Sequence, residues 1–292
     1  MFESENVYNE QLNLELPQGI SVFVKREDLL HAEVSGNKFR KLKYNIIKAK
    51  ELGYSRLLTF GGAYSNHIAA TAAAGRICGV ETIGIIRGDE LKDNYEDNHT
   101  LTKAVEDGMQ LGFLSRSDYR QKTSPEILKR LGDVYGNFYL VPEGGTNEEA
   151  IKGTEEILKQ GDEAFDYVCT AVGTGGTIAG IINSSFTNQT IIGFPALKGD
   201  FLYEDIRRFA NKSNWELILD YHFGGYAKYN EELLSFLREL YRRTGVLFDP
   251  IYNGKMMYGL IEEIKKGRFI EGSKILVIHT GGLQGWNDKI KI

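Results

Sequence analysis

The feature that most constrains this chain is a grammar it repeats: a short apolar run, a glycine-rich turn, then a helix-forming stretch. Ser55 to Phe60 is such a run; it stops at Gly61-Gly62, and Asn66 to Gly75 is alanine-rich and helical in propensity. The same order returns where Asp166 to Val172 is apolar, Gly173 to Thr177 is glycine-rich and Ile178 to Asn183 opens a helix. Further strands are predicted at 21–26, 81–87, 109–115, 136–141, 189–194, 215–219 and 274–279, and helices at 39–52, 94–106, 125–131, 231–244 and 256–266. The 231–244 stretch is amphipathic, with Leu233, Leu234, Leu237, Leu240 and Tyr241 near helical spacing. Strands alternating with helices argue a parallel α/β sheet. The block from Gly53 to Val141 is expected to form a smaller α/β domain, 53–141, inserted in a larger one built from 1–52 and 142–292.

Composition narrows the function classes. With 292 residues, 42% hydrophobic and 26% charged, the chain has ample core for an ordinary globular fold. A net charge of -5 lacks the electrostatic footprint that phosphate backbones select, so no nucleic-acid partner is expected. Two cysteines, Cys78 and Cys169, cannot staple a chain of this length, which suits a reducing compartment. The acidic start, Met1 to Asn6, lacks the basic and apolar regions of a secretory signal, and no apolar run approaches the ~20 residues that span a bilayer. A cytoplasmic location with no membrane partner is expected, and no metal site is read.

Five segments carry chemistry. In Ser35-Gly36-Asn37-Lys38-Phe39-Arg40-Lys41-Leu42, Lys38 falls in the first turn of a helix, where the positive end of the dipole disfavours its cation and helps supply a neutral, imine-forming amine. The bland reading is a solvated helix start. In Gly61-Gly62-Ala63-Tyr64-Ser65-Asn66-His67, Ser65 is an N-cap candidate, and the amides there either bind a carboxylate or simply cap the helix. Val172-Gly173-Thr174-Gly175-Gly176-Thr177-Ile178 reads as a phosphate cup of backbone amides and two threonine hydroxyls. It is neither a Walker loop nor a dinucleotide turn, because no Gly-Lys-Ser/Thr follows and the third glycine is out of register. Asp249-Pro250 marks a turn that would set Tyr252 at a pocket edge, and His279-Thr280-Gly281-Gly282 again ends a strand in glycines. A lysine amine plus a phosphate cup suggests an aldehyde cofactor bearing a phosphate, pyridoxal 5′-phosphate (PLP).

On these segments, together with Lys25-Arg26-Glu27-Asp28 and Asp249 to Lys255, the chain resembles the D-cysteine desulfhydrase and 1-aminocyclopropane-1-carboxylate (ACC) deaminase group of fold-type II PLP enzymes. The motifs run in the family's order over nearly the whole chain. The resemblance implies a tryptophan synthase β-like α/β fold, with two three-layer α/β/α domains, mostly parallel twisted sheets and a homodimer. It implies that Lys38 carries the cofactor and shuttles the Cα proton, that Asn66 bonds the cofactor's phenolic oxygen, and that Gly173, Thr174, Gly175, Gly176 and Thr177 hold its phosphate. Ser65 would hold the substrate carboxylate or assist proton transfer, His67 would flank the ring, and Tyr226 and Tyr252 would face a small amino-acid substrate. Asn253 and Thr280 stand where the deaminases carry glutamate and leucine, and the desulfhydrases usually have threonine at both. Asparagine cannot supply the charge that keeps a pyridinium protonated, which suits β-elimination.

The first expectation is therefore a D-cysteine desulfhydrase-type lyase giving pyruvate, ammonia and hydrogen sulfide. ACC deamination to 2-oxobutanoate and ammonia on the same scaffold is the second, and a non-catalytic α/β protein that binds a phosphorylated ligand is the third.

Overall fold

Alternation of apolar side chains along the strands divides the protein into two sheets, each covered on both faces. The computed structural model describes residues 7–199, 201–283 and 286. The larger sheet contains β1 (Asn9–Gln11), β2 (Ser21–Lys25), β7 (Tyr167–Val172), β8 (Thr190–Pro195), β9 (Trp215–Leu217) and β10 (Lys274–Ile278), in the order β1-β2-β10-β7-β8-β9. The smaller contains β3 (Arg56–Gly61), β4 (Glu81–Arg87), β5 (Met109–Leu114) and β6 (Tyr139–Val141), in the order β5-β4-β3-β6. Among the described residues every pairing is parallel except the antiparallel β1–β2 ribbon.

In β10, Ile275 and Val277 point into one apolar cluster, and Leu276 and Ile278 into another. The first is roofed by α9 (Glu231–Thr244) and α10 (Asn253–Lys265), the second by α7 (Gly176–Ser184) and α8 (Leu202–Arg207). In the smaller sheet, Leu58, Phe60, Ile83 and Ile85 meet Tyr119 of α4 (Arg116–Arg120) and Ile127 and Leu131 of α5 (Pro125–Tyr135). Its other face receives α2 (Asn66–Cys78) and α3 (His99–Glu106) through Ile68, Ala72, Leu101 and Ala104. Each fully buried Leu or Ile contributes roughly 1.5–3 kcal/mol, so these covers, not helix propensity, hold the layers.

Helix α1 (Asn37–Glu51) packs Phe39, Leu42, Ile46 and Ala49 against Leu57 and Val141 of the smaller sheet. It also crosses α6 (Glu148–Thr154) so closely that a Cβ at Gly153 would lie 1.9 Å from the Arg40 carbonyl oxygen. Expected and observed ranges coincide for β4 and α9. The stretch expected as one helix over 94–106 instead begins with a 3-10 turn at Tyr95–Asp97, and the α-helix starts only after Asn98 accepts from the Thr100 and Leu101 amides. Helix α10 begins three residues before the expected 256, for a reason given below. Among the described residues no helix is long and apolar enough to cross a membrane.

Candidate active site

Parallel strands β3, β7 and β10 all point their carboxyl ends at one cavity of about 300 Å³ between the two sheets. Lys38 reaches it from the first turn of α1. That turn sits where it does because Gly36 is left-handed (φ 60) and lies on the end of β10, with the Asn37 amide donating to the Thr280 carbonyl at 3.1 Å. A Cβ at position 36 would stand 2.0 Å from that carbonyl oxygen. Lys38 is half-buried, and among the described residues its amine has no hydrogen bond or ion pair. Burial lowers its pKa to about 8. One turn on, Lys41 is buried and donates to the Gly144 carbonyl at 3.0 Å and the Thr146 hydroxyl at 3.3 Å. Its pKa falls well below the ordinary lysine value, through burial and the adjacent Lys38 charge. Among the described residues no carboxylate pairs with either amine.

The glycine turn between β7 and α7 forms the facing wall. Gly175 is left-handed (φ 80), and the free amides of α7's first turn follow it. Thr174 and Thr146 share a hydroxyl–hydroxyl hydrogen bond of 2.7 Å, and the Asn37 side-chain amide donates to the Thr177 hydroxyl at 2.8 Å. A helix amino-terminus, two threonines and a buried lysine amine with no carboxylate partner among the described residues make a site for an anion, whose charge would favour the protonated amine.

The third wall is the start of α2. Ser65 is its N-cap, accepting from the His67 and Ile68 amides at 3.2 and 3.3 Å, which leaves its own hydroxyl proton to donate elsewhere. Asn66 packs on Gly282, where a Cβ would come within 2.4 Å of its amide nitrogen. Thr59 gives its proton to the Val141 carbonyl, so it accepts from His67 Nε2 at 2.8 Å. The buried Nδ1 of His67 makes no well-formed hydrogen bond among the described residues. Burial, and after it the Lys38 and Lys41 charges, pushes His67 well below the usual imidazole value against the pull of the Pro142 carbonyl beside the ring, so the ring is neutral.

The last wall is built by Asp249. Its buried carboxylate accepts from the Ile251, Tyr252 and Asn253 amides at 2.9, 2.7 and 3.0 Å and from the Asn253 side-chain amide at 2.8 Å. Those bonds cap α10, start it at Asn253 and turn Tyr252 into the cavity. Burial raises the Asp249 pKa against the pull of its donors. Tyr226 lies beside Tyr252 with ring centres 6.1 Å apart, and burial raises both phenols, which stay protonated donors.

Of the residues expected at the site, Lys38, Ser65, Asn66, His67, Tyr226, Tyr252 and Thr280 line the cavity, as do Gly173, Thr174, Gly175 and Thr177. Asn253 and Gly176 do not. Asn253 is fully buried behind Thr280: its oxygen accepts from the Thr280 hydroxyl at 2.9 Å and its nitrogen is held by Asp249, so the group presented to a ligand there is the threonine. Gly176 lies behind the cup, where a side chain would meet the Thr146 hydroxyl at 2.7 Å and the Lys41 amine at 3.0 Å. Lys25-Arg26-Glu27-Asp28 is structural: Glu27 takes a buried bidentate contact from Arg40, and Lys25 pairs with Asp162 at 2.9 Å.

Sequence reading missed Lys41, Arg87 and Glu143. Lys41 stands one helical turn after Lys38, a spacing that was legible; Arg87 and Glu143 arrive on strand ends with no local motif. Arg87 lines the cavity with no hydrogen bond or ion pair among the described residues, and Glu143 accepts from Tyr119 at 2.9 Å and pairs with Lys122 at 3.0 Å.

The profile of a family described as pyridoxal-phosphate dependent enzyme matches residues 10–281. A bifunctional D-cysteine desulfhydrase/1-aminocyclopropane-1-carboxylate deaminase of Arabidopsis thaliana is 33% identical over 94% of this chain and 75% of its own length. A D-cysteine desulfhydrase of Serratia proteamaculans is 29% identical over 90% of this chain and 87% of its own. A crystal structure described as that of an ACC deaminase homologue superposes with a TM-score of 0.84 at 29% identity, covering 98% of this chain and 92% of that one.

Proposed function

The chain belongs to the pyridoxal-phosphate-dependent enzyme family, and within it we propose a lyase that eliminates the β-substituent of a small D-amino acid, D-cysteine foremost, giving pyruvate, ammonia and hydrogen sulfide. The cofactor fits the residues present. Lys38 offers an unpartnered amine to its aldehyde, and the 173–177 turn and Lys41 offer amides, hydroxyls and a buried amine to its phosphate. Bound there, pyridoxal phosphate supplies an electron-accepting ring for the pair left when the Cα–H bond breaks.

The rest falls to this chain's own groups. The Ser65 hydroxyl proton and the Asn66 backbone amide, the one amide of α2's first turn that Ser65 does not engage, hold the substrate carboxylate against the helix dipole. The Lys38 amine takes the Cα proton in its neutral form, and burial, by lowering its pKa to about 8, makes that form far more abundant near neutral pH than in an ordinary lysine. Tyr226 and Tyr252, both protonated, donate toward the departing group, and the Arg87 guanidinium stabilises charge that develops on it. The cavity's position between two covered sheets limits water at the reacting carbon.

The observation that carries elimination over ring opening is the Thr280–Asn253 pair: a neutral hydroxyl backed by a neutral amide, where no carboxylate is offered. Deamination of ACC is the second reading, favoured by the relatives that bear that name. Ligand binding without catalysis no longer stands beside these, because the family is one of enzymes. Purified, cofactor-loaded protein tested with D-cysteine and with ACC decides: sulfide and pyruvate from the first support the proposal, 2-oxobutanoate from the second replaces it, and neither product sinks both. The proposal extends to a cytoplasmic homodimer, with 1–52 and 142–292 as one domain and 53–141 as another. The confinement of β3–β6 to 56–141 supports that division.

A further inference from the structure

Tyr226 reaches the cavity from a segment that no helix or strand carries. Between β9 and α9 the backbone is left-handed at Phe223 (φ 51), Gly224 (φ 92), Gly225 (φ 110) and Ala227 (φ 57). Two of those four carry side chains, which rarely adopt that conformation, and such a shape persists only where its surroundings over-determine it.

The over-determining group is Lys255, in the first turn of α10. Its side chain is 1% exposed, and its ammonium donates to the carbonyl oxygens of His222 and Gly225 at 2.8 Å each. Among the described residues no carboxylate lies within ion-pair distance of it. A lysine buried without an ion-pair partner is costly; the Asp249 charge, beyond ion-pair distance, eases that cost, and the carbonyls of one turn supply the direct contacts. The turn is closed further by the Gly224 amide, which donates to His222 Nδ1 at 2.9 Å, and by the Gly225 amide, which donates to the His222 carbonyl at 3.0 Å. Residue 226 follows directly. Because Lys255 sits three residues after Tyr252, the helix that carries one phenol also holds the other.

We infer that Lys255 is a positioning residue: by clamping the 222–225 turn it holds Tyr226 beside Tyr252 at the cavity. The clamp is a property of the fold, and only its effect on turnover rests on the β-elimination reading. In this arrangement the lysine acts as a tethered monovalent cation, filling a carbonyl site with charge while its stem packs in the core.

The experiment compares Lys255→Met and Lys255→Arg in two assays. The first is amide hydrogen exchange over 222–227, with α2 and α9 as internal controls. Expected in Lys255→Met is faster exchange confined to 222–227, with Lys255→Arg near the parent. The second is turnover of D-cysteine, where displacing Tyr226 by an ångström is expected to lower kcat/KM about 100-fold. That loss should largely vanish when Lys255→Met is placed in a Tyr226→Phe background, because the two residues act as one unit. In Lys255→Ala, added ammonium or methylammonium should restore part of kcat/KM and sodium should not. Unchanged exchange at 222–227 in Lys255→Met, or an equal loss of kcat/KM with and without the Tyr226 hydroxyl, overturns the inference. Parent protein that turns over no substrate removes the elimination reading and leaves the exchange assay to decide on Lys255. Should Lys255→Met fail to fold, Lys255→Gln is read by the same exchange and kinetic criteria.

Discussion

The amine that does the chemistry is expected to weaken the protein that holds it. In the cofactor-free form, burial drops Lys38 from an ordinary 10.5 to about 8. That drop corresponds to roughly 3 kcal/mol lost from the native state while the amine is protonated. Because Lys38 is half-buried and opens on a cavity that water reaches, about 2 kcal/mol is the working figure. The sign follows from proton counts. Below pH 8 the native and unfolded chains both carry the proton, and the full cost applies. Between pH 8 and 10.5 the native amine has lost its proton and the unfolded one has not, so stability rises with pH; above 10.5 the cost is gone. Lys38→Met keeps the aliphatic stem and removes the ionisation, and it also relieves Lys41, whose pKa the Lys38 charge depresses. Apo Lys38→Met should therefore melt about 4–8 °C above the apo parent at pH 7, with the gap closing as pH climbs from 8. It should have no turnover and no near-ultraviolet or visible band from lysine-bound cofactor. Scanning calorimetry of both stripped proteins across that pH range is the assay. A variant that melts at or below the parent at pH 7, or a gap that stays constant to pH 10, refutes the reasoning.

Three further outcomes are expected. Gly36→Ala places a methyl 2.0 Å from the Thr280 oxygen on a left-handed backbone; the conformational cost and the overlap together should remove about 2–5 kcal/mol, and cofactor titration should show weaker loading, whereas parent-like loading and melting would mean the contact is slack. Arg87→Gln should lower kcat and kcat/KM for D-cysteine about 10–100-fold with KM little changed, the worth of one charge-assisted hydrogen bond made to developing charge; a parent-like kcat would show that the guanidinium does not meet the departing group. Asn253→Glu combined with Thr280→Leu should move product from pyruvate toward 2-oxobutanoate in a mixed-substrate assay. Asn253→Glu alone, which sets a carboxylate against Asp249, should lower the melting temperature more at pH 8 than at pH 5; the reverse order would be fatal to that account.

The architecture was legible where period and punctuation agreed. Glu231–Thr244 has a leucine stripe, an Asn230 side chain that caps its start and Gly245 after its end, so its bounds could be read directly. The α10 start could not, because the cap is Asp249, four residues upstream, acting through a fold of the chain that periodicity does not encode. Helix α6 escaped notice because seven residues containing Gly153 give little period, and its position depends on α1 crossing it. At the site, the segments that carry their own glycines were visible, while Arg87 and Glu143 become neighbours of Tyr226 only through the packing of two sheets. Asn253 was placed one layer too far forward, since a sequence shows adjacency to Tyr252 but not that α10 turns its next residue inward behind Thr280.

Strand β10 lies between β2 and β7, in register with both. Some 250 residues separate β2 from the strand it needs, and the Gly36 loop rests on the same strand's end. During synthesis, the β1–β2 ribbon and the β3–β6 sheet have their partners early, but the second edge of β2 and the lysine loop have theirs only once residue 280 has emerged. A truncation ahead of β10 is therefore expected to keep its small sheet and, on cofactor titration, to show no absorbance band of lysine-bound cofactor.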